Sequence, residues 1–467
     1  MMANHHPVVR RTWVVGLAGI LSILSATADA GGFGLIEQSV SSMGTAYANG
    51  SAGIDDASTL FFNPASMTRL KGNNISAGGH IVHSRVDFSG KGFYNPSNAV
   101  NDNIGIGGAP ISGKKNDDIG LTAAVPHGAY SHQFNDRMWL GLTVNSPFGL
   151  KTKYDDDWVG RYSAIKSELL TVNINPSFAF KVDEHASIGV GVSAMYADGE
   201  LTNAVDGGLV DFLSAVGGGV PPSVPWFPDN VGSKTYDSEA KLTGDDWGYG
   251  WNMGLMLEPS DNTRLGLHYR SKVDLTLDGD VKVNGPVANL NTNAKLKISL
   301  PDSISLSGFH AFSPKISLMA DLTWTKWSNL DELKVKIQGG SESLTPLDWN
   351  DTIRIAVGAS YKHSETWLYR AGVAYDESPV PRDKLRTPRV PDADRIWATL
   401  GANYRFSKQL SFDFGYAHLF VDDPKVDTPD AHDPTAPFPA NKTGFHTVKG
   451  KYDAKVDILS AQVNWQF

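Results

Sequence analysis

The side chains able to act as nucleophile, base or metal ligand are spread along the chain without a spacing that would put them to work. Histidines stand at His80, His83, His127, His132, His268 and His310, and an acyl-transfer site would need one of them beside a serine and an orienting acid or amide. No Gly-x-Ser-x-Gly elbow accompanies them. There is no His-Glu-x-x-His metal pair and no Walker-type phosphate loop. Cysteine is absent, which removes disulfides and thiolate metal sites. These residues point away from an enzyme, and they require neither cofactor nor metal.

Two loops say more. Between Ala204 and Asp237, Leu209, Phe212, Leu213 and Val216 stand at i, i+3, i+4 and i+7, and Val220, Val224, Trp226 and Phe227 follow among four prolines. An apolar surface on a polar chain marks a ligand, a partner or a membrane, unless the loop folds back onto its own support. A second loop gathers Arg382, Lys384, Arg386 and Arg389. It reads either as an anion site or, more simply, as a solvated face.

The elements that must hold these loops are strands. Mean hydropathy is only -0.23, yet the last tract puts Leu459, Ala461, Val463, Trp465 and Phe467 on one face and Ser460, Gln462, Asn464 and Gln466 on the other. That period of two suits a strand with lipid outside and water inside. Fourteen such tracts can be marked, at roughly 72-90, 118-133, 136-153, 163-182, 185-203, 239-259, 262-282, 292-312, 315-337, 349-363, 365-377, 393-407, 409-425 and 448-467. The count is even, as a single-chain bacterial barrel requires. The expected fold is therefore all-β, a 14-stranded antiparallel transmembrane β-barrel over 72-467. Trp139, Trp158, Trp324, Trp327, Trp397 and Trp465, near tract ends, are expected in interfacial girdles.

Residues 1-30 read as a signal peptide: Arg10 and Arg11, an apolar core from Trp13 to Ala26, and Ala28-Asp29-Ala30 as cleavage site. That core is shorter than the roughly 20 residues a transmembrane helix needs. The formal charge of -9 makes nucleic acid an unsuitable partner. Residues 31-71 do not alternate. Asp55-Asp56 can cap a helical turn through Thr59, Leu60 and Phe61 before Asn63-Pro64 ends it, and Phe33, Leu35, Ile36, Phe62 and Met67 argue for burial. A segment of this kind ahead of a closed barrel goes either into the periplasm as a loose tail or, as its apolar residues favour, into the lumen as an N-terminal hatch, or plug. In the third tract Trp139 to Val144 alternates until Asn145, Ser146, Pro147, Phe148 and Gly149 interrupt it. Pro147 cannot donate to a ladder and Gly149 tolerates a bulge. The residues alone allow either a gap in the wall or a strand ending early in a loop.

Beyond these patterns the chain resembles the FadL/TodX family of outer-membrane transporters for hydrophobic compounds. The resemblance runs essentially from Gly31 to Phe467. It is carried by GGFGLIEQS (31-39), DDASTLFFNPA (55-65), NSPFGLKTKY (145-154), GDDWGYGWNMGLML (244-257), Leu300-Pro301-Asp302, the TWTKW run from Trp324 to Trp327, ESPVP (377-381) and Pro391-Asp392-Ala393-Asp394-Arg395. It implies a monomeric barrel whose hatch motif is Asn63, Pro64 and Ala65. Phe33 would border a ligand pocket. A lateral opening would lie at the 145-149 interruption with Gly254 beside it. The loop with Leu209, Phe212, Leu213, Val216, Trp226 and Phe227 would be the extracellular capture surface, with the short loop Val283 to Asn291 as a second wall. The basic residues with which fatty-acid members hold a carboxylate fall near Asn203 and Thr345 here, and neither is basic. Phe467 resembles the signal by which bacterial barrels are recognised for assembly, so barrel assembly machinery is an expected partner, with outer-membrane lipid and lipopolysaccharide.

For a hydrophobic ligand the magnitudes favour the tail. About sixteen methylenes at roughly 0.8 kcal/mol each gain on the order of 12 kcal/mol on leaving water, against about 1.5–3 kcal/mol for a charged hydrogen bond to the head. The resemblance implies uptake of long-chain fatty acids first, with aromatic or aliphatic hydrocarbons as the alternative. A non-selective porin would lack the plug, and a hydrolase would need the missing nucleophile signature.

Overall fold

The computed structural model describes residues 32–216, 231–286, 289–432 and 444–467, with side chains undescribed at 212–216. The leader at 1-30 and the residues Val220, Val224, Trp226 and Phe227 lie outside the described residues, as do the side chains of Phe212, Leu213 and Val216.

Fourteen strands form a closed antiparallel barrel, seven of them broken into two segments. They are β1 (Asn73–Tyr94), β2 (Asn116–Asp118 and Thr122–Asn135), β3 (Met138–Asn145 and Gly149–Lys153), β4 (Lys166–Lys181), β5 (Ala186–Val205), β6 (Ser238–Ser260) and β7 (Thr263–Arg270 and Val273–Asn284). Then come β8 (Leu290–Leu300 and Ser303–Ala311), β9 (Ile316–Thr325 and Glu332–Ile337), β10 (Glu342–Pro346 and Thr352–Lys362), β11 (Trp367–Asp376), β12 (Arg395–Arg405), β13 (Leu410–Val421 and Lys425–Pro429) and β14 (His446–Gln466). Each strand pairs with the next, and β14 closes on β1 from Asn74↔Gln466 to Tyr94↔His446. Closure leaves no sheet edge to hydrate, the condition for strands to cross lipid. Among the described residues no helix is long and apolar enough to cross a membrane.

The alternation reverses its chemistry partway up the wall. In β14 the inward residues Tyr452, Ala454, Val456 and Ile458 are apolar and buried, while Lys451, Asp453 and Lys455 face out. Beyond Ile458 the inward Gln462 is polar, and Leu459, Trp465 and Phe467 are exposed by 63%, 48% and 52%. The broken strands place the same reversal at their breaks. Leu265 and Leu267 point out in the first segment of β7, and Val273, Leu275 and Leu277 point in after Ser271-Lys272. A wall with apolar residues outside sits in lipid, and one with charges outside and apolar residues inside stands in water around a greasy interior.

Face parity, rather than nearness to a strand end, decides where the tryptophans go. Trp465 is exposed and Trp324 half-buried, but Trp139, Trp158, Trp327 and Trp397 are buried and not in a girdle. The Trp139 and Trp158 indoles donate to the carbonyls of Leu70 and Ala164, both at 2.7 Å. Exposed tryptophans on the outer wall include Trp247, Trp251 and Trp367.

The segment from Gly32 to Gly72 fills the lumen at the level of the lipid-facing wall. Its short helices are α1 (Val40–Met43), capped by the Ser39 hydroxyl, and α2 (Thr59–Phe62). A 3-10 turn follows at Pro64–Arg69. Ser58, not Asp55-Asp56, holds the N-cap position of α2. Asp56 instead accepts the hydroxyls of Ser41, Ser58 and Ser76 at 2.5, 2.5 and 3.1 Å. Asp55 stays exposed beside Arg264 and Arg69. The plug is polar toward the wall because the lumen at this height is polar: Val40 N–H donates to Gln462 at 3.0 Å, Ser51 N–H to Ser307 at 2.9 Å and Ala57 N–H to Ser76 at 3.0 Å.

Candidate functional site

Above the plug the reversed strands surround an apolar cavity. Leu169, Leu201, Leu242, Leu277, Leu296 and Ile298 supply its walls from β4 to β8, and Phe33, Trp349, Val390 and Arg389 line it as well. These wall residues were hard to read from sequence because they lie on the face that carries Ser and Gly one turn of the ladder lower. The signal that finds them is the phase flip at Ser271-Lys272 and Pro301-Asp302.

Phe33 belongs to an aromatic septum. Its ring lies 5.0 Å from Trp327, 5.8 Å from Trp349 and 6.3 Å from Phe148, and the two tryptophans are 5.3 Å apart. Gly32, at φ +69°, packs so closely on the Trp327 ring that a Cβ would stand 2.9 Å from it. Its N–H donates to Asp392 at 3.0 Å, and Asp392 also accepts from Arg395 at 2.6 Å. The Pro391 to Arg395 motif thus fixes the start of the plug. Below the septum a second cavity of about 1000 Å³ is bordered by Leu35, Ile36, Phe61, Phe62, Pro147 and Phe148, with Arg270, Asp321 and Arg354 among its polar lining.

The interruption in the third strand is a break in the wall. The β2–β3 ladder ends at Gly128↔Val144, whereas Thr122 to His127 of β2 remain paired with β1 alone. The chain turns inward and pairs with the plug instead: Leu35 N–H donates to the Pro147 carbonyl at 2.8 Å and Gly149 N–H to the Phe33 carbonyl at 3.0 Å. Gln38 reaches the Ser146 carbonyl at 2.8 Å, and Ser146 donates to the Thr171 carbonyl at 2.7 Å. Outside this turn lies a cleft of about 630 Å³, bordered by Ala124, Pro126, Val144, Asn145, Ser146 and Leu170 among others. Asn145 to Gly149 and Phe33 are therefore brought together.

Gly254 is not with them. It faces the hatch motif, where an added Cβ would lie 1.8 Å from Asn63 Oδ1 and 3.2 Å from Pro64 Cδ. The polarity of the lumen explains this: β6 turns Gly254 inward against the plug, on the face opposite Met253 and Leu255. Asn63 is buried, donating from Nδ2 to the carbonyls of Ser51 and Leu255 at 2.7 and 3.0 Å and accepting Ala65 N–H at 3.0 Å. Asn63, Pro64 and Ala65 thus form a seat between plug and wall.

At the upper rim a groove of about 1320 Å³ opens onto the upper cavity, sharing Leu201, Leu242, Leu333 and Arg389 with it. Leu209 and Val210 of α3 (Gly207–Val216) border the groove, facing Val283, Leu290 and the hairpin that joins β9 to β10. Periodicity alone does not mark that hairpin as a wall. Asn203 and Thr345 border it too. Arg382 and Lys384 are exposed, but Arg386 and Arg389 are buried, so the basic loop is only half solvated. Asp206 ties the start of α3, accepting from Leu209 N–H at 3.0 Å, Tyr94 at 2.5 Å and His446 at 3.4 Å. Burial works against a charge on His446, yet Asp430 and Asp206 outweigh it and hold the imidazole at about 9.

The profile of the family described as outer membrane protein transport protein (OMPP1/FadL/TodX) matches residues 21–467. A long-chain fatty acid transport protein of Escherichia coli O6:H1 is 33% identical over 423 residues, covering 86% of this chain and 90% of that one. A FadL homologue of Pseudomonas aeruginosa superposes with TM-score 0.81 at 25% identity, over 93% of this chain and all of that one. The toluene transporter TodX of P. putida shares the fold, with TM-score 0.63 at 19% identity over 89% of this chain and 95% of that one.

Proposed function

The chain belongs to the outer membrane protein transport family (OMPP1/FadL/TodX), and on that premise we propose that it takes up long-chain fatty acids across the outer membrane. The rim groove, with Leu209 on one side, captures the alkyl chain from water. The upper cavity holds it. The plug acts as a hatch, and movement of Phe33 opens the septum to the lower cavity. The ligand then leaves sideways through the break at Asn145 to Gly149 into the bilayer. The protein works as a monomer, is exported by its leader at 1-30, and is inserted by the barrel assembly machinery into a membrane of lipid and lipopolysaccharide.

One observation carries this reading: the break in β3 and the septum are hydrogen-bonded to each other through Phe33, Leu35, Pro147 and Gly149, so a shift of the plug start moves both ends of the path. The plug argues against an open porin. The second reading, uptake of neutral hydrocarbons by the same route, is favoured by the uncharged Asn203 and Thr345 at the groove. Binding of palmitic acid, methyl palmitate and toluene to purified protein decides between them. Tight binding of the acid supports the first reading, and binding of toluene without the acid supports the second. Binding of none of the three removes both.

A further inference from the structure

Arg389 stands where the rim groove meets the upper cavity and lines both. Its side chain is buried with the residue at 8% exposure, in surroundings that are otherwise largely leucine and valine. A buried cation ordinarily has a carboxylate, but among the described residues the hydrogen-bond partners of Arg389 are neutral. Nη1 faces the Lys166 carbonyl at 3.3 Å, Ser167 Oγ at 3.1 Å and the Thr202 carbonyl at 3.4 Å, and Nη2 faces Asn203 Oδ1 at 3.3 Å. All are longer than the roughly 2.7–2.9 Å of a charge-assisted bond to an anion.

The acids nearest the cavity are already engaged. Glu168 is held by Lys151 and Lys166 at 3.1 and 2.6 Å, and Glu200 by Lys166 and Lys241 at 3.2 and 3.0 Å. Burial, opposed only in part by Tyr154, pushes the guanidinium down to about 10. It is still a cation at neutral pH. Its backbone is fixed: Tyr154 donates to the Pro388 carbonyl at 2.8 Å and Thr152 to the Arg389 carbonyl at 3.2 Å. A preorganised, desolvated cation beside an apolar cavity is completed by a ligand that brings the anion and the tail together.

We propose that Arg389 receives the carboxylate of a long-chain fatty acid whose tail occupies the upper cavity, and so sets the preference for acid over neutral hydrocarbon. This rests on the uptake reading above. Palmitic acid and methyl palmitate share a tail and differ in charge, so the ratio of their affinities isolates the head. The ratio is measured on purified wild type, Arg389→Gln and Arg389→Lys, each checked for barrel assembly by its heat-dependent gel mobility. In Arg389→Gln palmitate should weaken about ten- to a hundredfold while methyl palmitate holds, and Arg389→Lys should recover part of the difference. Equal weakening of both ligands would make Arg389 a merely structural tie of its loop and overturn the assignment. Unchanged palmitate binding would overturn it too, leaving fatty-acid uptake standing. Wild-type protein that binds neither ligand refutes the uptake reading itself, and the assignment with it.

Discussion

The lower and upper halves of this barrel are built from the same strands with opposite chemistry. Low on the wall Ile188, Val190 and Val192 of β5 face out, and Ser187, Gly189 and Gly191 face in. Higher on the same strand Met195 and Ala197 face in and Asp198 faces out. The lower half has a polar lumen that a hydrogen-bonded plug largely occupies, leaving beneath the septum a cavity with a partly charged lining. The upper half has an apolar lumen, and cavity space remains in it. A polar interior can be plugged specifically, because each donor selects its acceptor. An apolar one holds a ligand by area, which is indifferent to detail. In the proposed uptake route the lower half is the gate and the upper half the place of capture.

The largest effect should come from breaking the seat of the plug. Gly254→Leu forces a side chain into Asn63, and about 3 kcal/mol or more of plug docking should be lost. The barrel should still show its heat-dependent gel shift while protease cuts the segment around Thr45 to Ser58. Gly128→Ala, on the outer face with nothing within 4 Å of the new Cβ, should change neither readout. Asn63→Ala is the milder form. It leaves the Ser51 and Leu255 carbonyls and the Ala65 N–H without their side-chain partner, at a cost of about 2–3 kcal/mol, read as a lower midpoint for plug release in denaturant.

Much of this was legible in sequence and some was not, for one physical reason. Alternation gives parity but not which face is inside. The lipid-facing tracts such as 459-467 could be oriented because one face is too polar for lipid. Above the membrane the apolar face turns inward, which hides Leu277, Leu296 and Trp349 as cavity wall and Trp327 with them, whereas Trp139 and Trp397 are buried lower down against the plug, at the Leu70 carbonyl and the Tyr47 ring. The interruption at Asn145 to Gly149 was visible because Pro147 breaks a ladder in any context. The partner it bonds, the plug start, and the contact of Gly254 with Asn63 are long-range facts that periodicity does not carry. Arg389 was visible as a charge, while its burial depended on how the loop folds.

A smaller effect sharpens the upper half. His446 is raised from 6.5 to about 9, so its bonds to Asp206 and Asp430 contribute stability that is fully present below pH 6.5 and lost as pH rises through about 9. Amide exchange at the start of α3 should quicken across that window, with the plug unaffected. His446→Gln should flatten the dependence. The smallest effect is at the exposed pair Lys295–Asp278, 57% and 59% exposed. Lys295→Ala should leave thermal stability and binding unchanged.

The central claim is that ligand leaves through the wall at the β3 break. The chain has no cysteine, so Ala124→Cys and Leu170→Cys, both bordering the cleft, can be bridged by a reducible bifunctional thiol reagent without side reactions. Uptake of labelled palmitate by cells carrying the double variant, before bridging, after bridging and after reduction, is the measurement. The account predicts that bridging stops uptake, leaves palmitate binding to the purified protein intact, and is reversed by reduction. Uptake that continues at the unbridged rate with the cleft closed would contradict it.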